Sequence, residues 1–83
     1  MALDVIGCAP DDRRVETKVA VGRNIKAQRK RRNWTQEELA HRAGMHPVEV
    51  GRAERGIRDM RVSTVVRLAR GLEVAPAELL RNV

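Results

Sequence analysis

Residues 35–56 read TQEELAHRAGMHPVEVGRAERG and predict two short helices joined by a tight turn. Thr35 precedes Glu38 by three residues, the spacing of a capping box in which each side chain accepts the backbone amide of the other residue. Gly44 is suited to end the first helix, because glycine readily adopts the left-handed conformation. Pro47 is suited to the first turn of the second helix, because its missing N–H would be unpaired there.

The second helix of this pair is predicted at about His46–Arg55, with Gly56 as its stop. Two short helices joined by a turn of three or four residues containing glycine are typical of a helix-turn-helix, although other helical hairpins share the spacing. Gly51 inside this helix costs about 1 kcal/mol relative to alanine. That cost indicates either a close approach of the backbone to a bound partner or a crowded packing site.

A helix before the pair is predicted from Arg13 onwards. Val21, Ile25 and Arg29 fall at i, i+4 and i+8, which places them on one face. Asn33 follows and tolerates the left-handed conformation that ends a helix.

Two helices are predicted after the pair. Apolar residues recur at helical spacing between Val62 and Leu72, and Ala75-Pro76 is a suitable start for a short last helix. The alternation typical of a strand is not found. The sequence therefore predicts an all-α, five-helix bundle over residues 13–83, preceded by a flexible tail over residues 1–12.

Two opposite charges are predicted to face the core. Arg29 is in register with Ile25 on the first helix, and Glu54 lies four residues after Val50 on the third. A single charge facing a core costs several kcal/mol unless it is paired. The simplest arrangement is an ion pair that ties the first helix to the end of the third, and the alternative is that both side chains extend to solvent.

The charge balance favours a polyanionic partner. Seventeen Lys and Arg against eleven Asp and Glu give a net charge of +6 and a pI of about 11.0. Such a balance is typical of nucleic-acid binding, although an Arg-rich surface that serves solubility is the alternative. Cys8 is the only cysteine, so no internal disulfide is possible, and no apolar run has the length of a membrane span. We expect a soluble, cytoplasmic, nucleoid-associated protein.

The sequence gives no support to catalysis, to a cofactor or to a metal site. His41 and His46 have no cysteine pair nearby, and no nucleophile–base pair stands out. We therefore do not expect an enzyme.

The chain resembles the Cro/C1-type (XRE) family of helix-turn-helix regulators over roughly residues 20–81. The residues that carry the resemblance are Ile25, Arg29, residues 35–40 (TQEELA), Gly44, Val50, Glu54-Arg55-Gly56, Ala69 and Leu72. The resemblance implies a lambda-repressor-like fold and sequence-specific binding of double-stranded DNA by a transcriptional regulator, more often a repressor. The family also includes restriction–modification controllers and antitoxins, so both remain alternatives.

By position, the resemblance implies which residues read base edges. These are Pro47, Val48 and Arg52, with His46 and Glu49 beside them. Arg52 is suited to a bidentate contact with guanine, and a contact with phosphate alone is the alternative. Pro47 and Val48 have no side-chain donor and are suited to contacts with thymine methyl groups.

Phosphate contacts are implied on either side of these residues. Thr35 and Gln36 lie at the start of the second helix, where unpaired amides and the helix dipole favour an anion. Arg55, Arg58 and Arg61 are the predicted arginine contacts, at the end of the third helix and in the loop that follows.

A homodimer is expected, because one small domain contacts few base pairs and dimers bind two half-sites about 34–36 Å apart. The predicted dimer surface contains Val74, Leu79, Leu80 and Val83, and packing of the two leucines in the core is the alternative. Two other classes stay open. One is an antitoxin-like protein with a toxin as its main partner, and the other is a non-specific architectural or RNA-binding protein.

Overall fold

The computed structural model describes residues 16–57 and 59–83. The predicted tail, Cys8 and the predicted phosphate contact Arg58 lie outside these ranges. The predicted start of the first helix at Arg13 is wrong, because Glu16 is extended and that helix begins at Thr17. The described residues form five α-helices and no strand: α1 Thr17–Arg31, α2 Gln36–Ala43, α3 Pro47–Arg55, α4 Val62–Leu72 and α5 Pro76–Leu79. The all-α, five-helix prediction is confirmed. None of these helices is long and apolar enough to cross a membrane.

The helices end where the backbone turns left-handed. Asn33 follows α1 with a φ of 58°, Gly44 ends α2 at 69°, and Gly56 ends α3 at 66°. All three stops match the sequence predictions. Glu73 ends α4 at a φ of 61°, a conformation that glycine adopts at lower cost.

The start of α2 differs from the prediction in one contact. Thr35 Oγ1 accepts the Glu38 amide at 3.0 Å, as predicted. The Glu38 carboxylate, however, accepts a hydrogen bond from Arg42 Nε at 2.7 Å, one turn later. The reciprocal half of the predicted capping box is therefore wrong, because a charge-assisted bond to an arginine at i+4 competes well with a bond to a neutral amide.

The core is aliphatic and draws on all five helices. It contains Val21, Ile25, Leu39, Ala40, Ala43, Val50, Ala53, Leu68, Ala69, Leu72 and Leu79. Leu79 is fully buried inside its own subunit, so its predicted place on a dimer surface is wrong and the alternative of core packing is correct. Leu80, the next residue, is 45% exposed, because α5 ends at Leu79 and the chain turns outward.

A glycine lets α1 approach the end of α3. A Cβ atom built on Gly22 would overlap the Ala53 carbonyl oxygen and would lie 2.6 Å from the Glu54 carbonyl oxygen. Only a residue without a side chain fits this contact. The backbone of α1 therefore packs directly on the last turn of α3.

Candidate nucleic-acid interface

Helix α3 turns one edge to solvent. Val48 is 50% exposed, and Glu49 and Arg52 are also exposed, whereas Val50 is fully buried. Pro47 is half-buried. The outward edge therefore carries the side chains that were predicted to read bases, and their own subunit does not cover Val48 or Arg52.

The first turn of α3 is closed by a reciprocal cap. His46 Nδ1 accepts the Val48 amide at 3.1 Å, and Glu49 Oε1 accepts the His46 amide at 3.0 Å. The spacing is that of a capping box, with histidine in the place usually held by serine or threonine. Sequence reasoning missed it because histidine is not among the residues preferred at this position.

The other face of α3 is anchored by a buried ion pair. Arg29 Nε donates to Glu54 Oε2 at 2.6 Å, and Arg29 Nη2 donates to Glu54 Oε1 at 3.1 Å. The side chains of Arg29 and Glu54 are 10% and 2% exposed. Arg29 Nη1 also donates to the Trp34 carbonyl oxygen at 2.7 Å. The ion pair predicted from the sequence is thus present, and it joins α1 to the last turn of α3.

Gln36 connects α2 to the same carboxylate. Its Nε2 donates to Glu54 Oε1 at 3.0 Å, so Glu54 accepts hydrogen bonds from both α1 and α2. The Gln36 side chain crosses Gly51, where an added Cβ would lie 3.4 Å from Gln36 Oε1 and 3.5 Å from Arg55 Nη1. These are ordinary contact distances, so the site at Gly51 is not crowded.

Basic side chains border the exposed edge of α3. Thr35, Arg55 and Arg61 are all exposed, as a phosphate contact requires. Arg61 precedes α4, whose first turn has no side-chain cap and no acidic residue. Arg52 and Arg61 line the same groove between α3 and α4, about 420 Å³ in volume. Glu49, Asp59 and Arg67 also line this groove. The part suited to a polyanionic backbone is therefore the start of α4, with Arg61 beside it.

An asparagine that the sequence analysis did not single out fixes the C-terminal turn. Asn24 Nδ2 donates to the carbonyl oxygens of Leu79 at 2.9 Å and Arg81 at 2.8 Å. Its partners are main-chain atoms 55 and 57 residues away, so nothing local in the sequence could have indicated them.

An apolar groove of about 330 Å³ lies where α4, α5 and the start of α1 meet. The apolar side chains that line it are Val21, Met60, Val62, Val65, Val66, Pro76 and Leu80. Val62 is 80% exposed, although it belongs to the apolar pattern of α4. Val83 is 52% exposed, and Val74 is half-buried against the core.

Comparison with known proteins shows which protein family this chain belongs to. Residues 25–79 match the model of the helix-turn-helix family of Cro/C1 type, and the chain belongs to that family. It is similar to the control protein C.SmaI of Serratia marcescens, with 32% identity over 66 residues, which are 80% of this chain and 79% of that protein.

Solved structures of related regulators have the same fold as this chain. The restriction-modification controller protein C.AhdI from Aeromonas hydrophila has a TM-score of 0.71 and 33% identity, over 74% of this chain and 92% of that one. The hypothetical transcription factor NHTF from Neisseria has a TM-score of 0.73 and 30% identity, over 77% of this chain and 72% of that one. The chain is a DNA-binding transcriptional regulator with a helix-turn-helix formed by α2 and α3.

Proposed function

We propose that the chain is a homodimeric controller of a restriction–modification system that reads a specific duplex site with α3 in the major groove. The exposed edge of α3, backed by the Arg29–Glu54 pair, is the observation that carries the proposal. The likeness to two control proteins, at 32% and 33% identity, favours this class over an antitoxin. Its place of action is the nucleoid, in the cytoplasm.

Base readout is assigned to the outward edge of α3. Arg52 donates to guanine O6 and N7, the commonest specific contact, worth roughly 1–3 kcal/mol against a wrong base. Val48 contacts a thymine methyl group, and Pro47 lies beside it at the start of the helix. The exposure of Arg52 and Val48 supports these roles.

Phosphate contacts are assigned to the two flanks of α3. Thr35 and Gln36 lie at the start of α2, at the positive end of its helix dipole and beside the acidic residues Glu37 and Glu38. Because Gln36 Nε2 is held by Glu54, its side chain is oriented before DNA arrives. Arg55 Nη1 lies near Gln36 beside Gly51, on the same flank. Arg61 lies on the other flank, in the groove that Arg52 also lines, and Arg58 stays a prediction outside the described residues.

The dimer surface is assigned to the apolar groove between α4 and α5. Leu80 from the predicted set lines this groove and is exposed, and Val62 adds the most exposed of the large apolar side chains described. Val83 from the same set is also exposed. Two copies joined through these residues would bury apolar surface that otherwise faces water. Dimerisation lets two α3 helices reach half-sites one helical turn apart.

The proposal is tested by selecting bound fragments from random duplexes at one fixed salt concentration. A palindromic motif is expected, and it should occur upstream of the chain's own gene or of neighbouring endonuclease and methyltransferase genes. Expression of a reporter gene driven by that promoter should fall when the protein is supplied, since a bound dimer blocks the promoter. Equal recovery of all sequences would contradict the proposal, because a regulator should prefer its site by about 10³-fold or more.

A further inference from the structure

The cap at the start of α3 selects one tautomer of the neutral His46 ring. His46 Nδ1 accepts a hydrogen bond from the Val48 amide at 3.1 Å. A ring nitrogen that accepts carries no hydrogen, so the neutral imidazole carries its hydrogen on Nε2. The side chain is exposed, and Nε2–H is the one donor that this tautomer offers.

The carboxylate of Glu49 takes part in the same cap. Its Oε1 accepts the His46 amide at 3.0 Å, at the positive end of the α3 dipole. A carboxylate held there stabilises the first turn and fixes the backbone of His46. The family resemblance places Glu49 beside the base-reading residues, and its part in the cap is a different role from a base contact.

We propose that His46 is a specificity-determining residue that donates Nε2–H to an acceptor atom of DNA, and that Glu49 is a positioning residue that holds it. The inference rests on the proposed function, since it requires α3 to lie in the major groove. The N-terminal residues of a recognition helix are those that contact base edges. Serine, threonine or aspartate would suffice for the cap alone, whereas the imidazole ring adds an outward donor.

The tautomer is tested in the DNA-free protein by ¹⁵N NMR of the imidazole. The expected spectrum has a protonated Nε2 and an unprotonated Nδ1 for His46. His41 provides the comparison within the same sample, because it is also exposed but lies inside α2. The reverse tautomer at His46 would overturn the proposal.

The DNA contact is tested with His46→Ser, because serine keeps the cap and removes the ring donor. Affinity for the selected site should fall about fivefold to tenfold, the loss expected for one hydrogen bond. If the acceptor is a base atom, preference weakens at one position of each half-site, and if it is a phosphate, all sequences weaken alike. The first outcome supports the specificity-determining role of His46, whereas an equal loss on all sequences or an unchanged affinity refutes it. His46→Asn repeats the test with a second capping side chain.

Glu49→Gln tests the positioning role, since its amide oxygen still accepts the His46 amide. The selected motif should stay the same at every position, and a changed base preference would overturn the assignment of Glu49. A wild-type protein that selects no site would refute the proposed function itself. A wild-type site that His46→Ser binds equally well would refute this inference alone.

Discussion

Arg29 on α1 and Glu54 on α3 are 25 residues apart in the chain and share two hydrogen bonds in the core. Glu54 also accepts from Gln36 of α2, so one carboxylate fixes the relative positions of the three helices that build the candidate interface. These hydrogen bonds on the buried face of α3 fix the orientation of the helix. Its exposed edge can therefore remain free of contacts within the subunit.

Glu54→Ala should lower the free energy of unfolding by about 3–5 kcal/mol, because it leaves the Arg29 guanidinium buried without its partner. Urea denaturation measures the loss. Glu38→Ala is the matched control, since Glu38 pairs with Arg42 on the surface and exposed pairs contribute about 1 kcal/mol or less. Equal losses for the two variants would show that the buried pair does not anchor α3.

Two glycine-to-alanine substitutions should have opposite effects on thermal stability. Gly22→Ala should cost about 1–3 kcal/mol, because its methyl group meets rigid carbonyl oxygens of α3. Gly51→Ala should gain up to about 1 kcal/mol, because its methyl group meets only the flexible ends of Gln36 and Arg55. A shift of both melting temperatures in the same direction would contradict the packing described.

Much of the fold is predictable because its signals are local. Helix stops at Asn33, Gly44 and Gly56 follow from residues that tolerate a left-handed backbone. The Arg29–Glu54 pair follows from helical register and from the cost of an unpaired charge in a core. The helix stops can be predicted from the sequence of one helix at a time. The ion pair can be predicted because each buried charge requires a partner of opposite sign.

The parts that escaped prediction depend on distant contacts or on competition between partners. Leu79 and Leu80 are adjacent leucines that the sequence alone does not distinguish. Leu79 is buried and Leu80 is exposed because α5 ends between them. Gly22 shows its role only once α1 meets the carbonyl oxygens of α3. Glu38 had two acceptable donors within reach, and the arginine was preferred.

Arg61→Ala should make the salt dependence of DNA binding shallower by about one unit of slope in log K against log salt concentration, because one phosphate contact is lost. Arg70→Ala is the control, since this exposed arginine lies in the last turn of the same helix that Arg61 precedes. Titrations at several salt concentrations give both slopes. If both variants match the wild-type slope, Arg61 does not contact phosphate.

Val62→Asp should convert the proposed dimer to a monomer, because it places a charge at the apolar groove where α4, α5 and the start of α1 meet. Ile57→Asp is the matched control, since Ile57 is 52% exposed and does not line that groove. Sedimentation over a range of concentrations distinguishes the two. A Val62→Asp protein that remains dimeric would place the dimer surface elsewhere.

Arg52→Ala and Gln36→Ala should weaken DNA binding in different ways. Arg52→Ala should relax preference at one G·C pair by about 1–3 kcal/mol, because a bidentate base contact is lost. Gln36→Ala should weaken binding to all sequences alike, because phosphate contacts carry no sequence information. Affinities for the selected site and for single-base variants of it measure both effects. An unchanged preference in Arg52→Ala would remove Arg52 from base readout.

The most direct test of α3 in the major groove is methylation interference with the selected duplex. Methylation at guanine N7 lies in the major groove, and methylation at adenine N3 lies in the minor groove. We predict that N7 methylation of one guanine in each half-site blocks the wild-type protein and has little further effect on Arg52→Ala. Interference confined to adenine N3, or none at any guanine, would contradict the account.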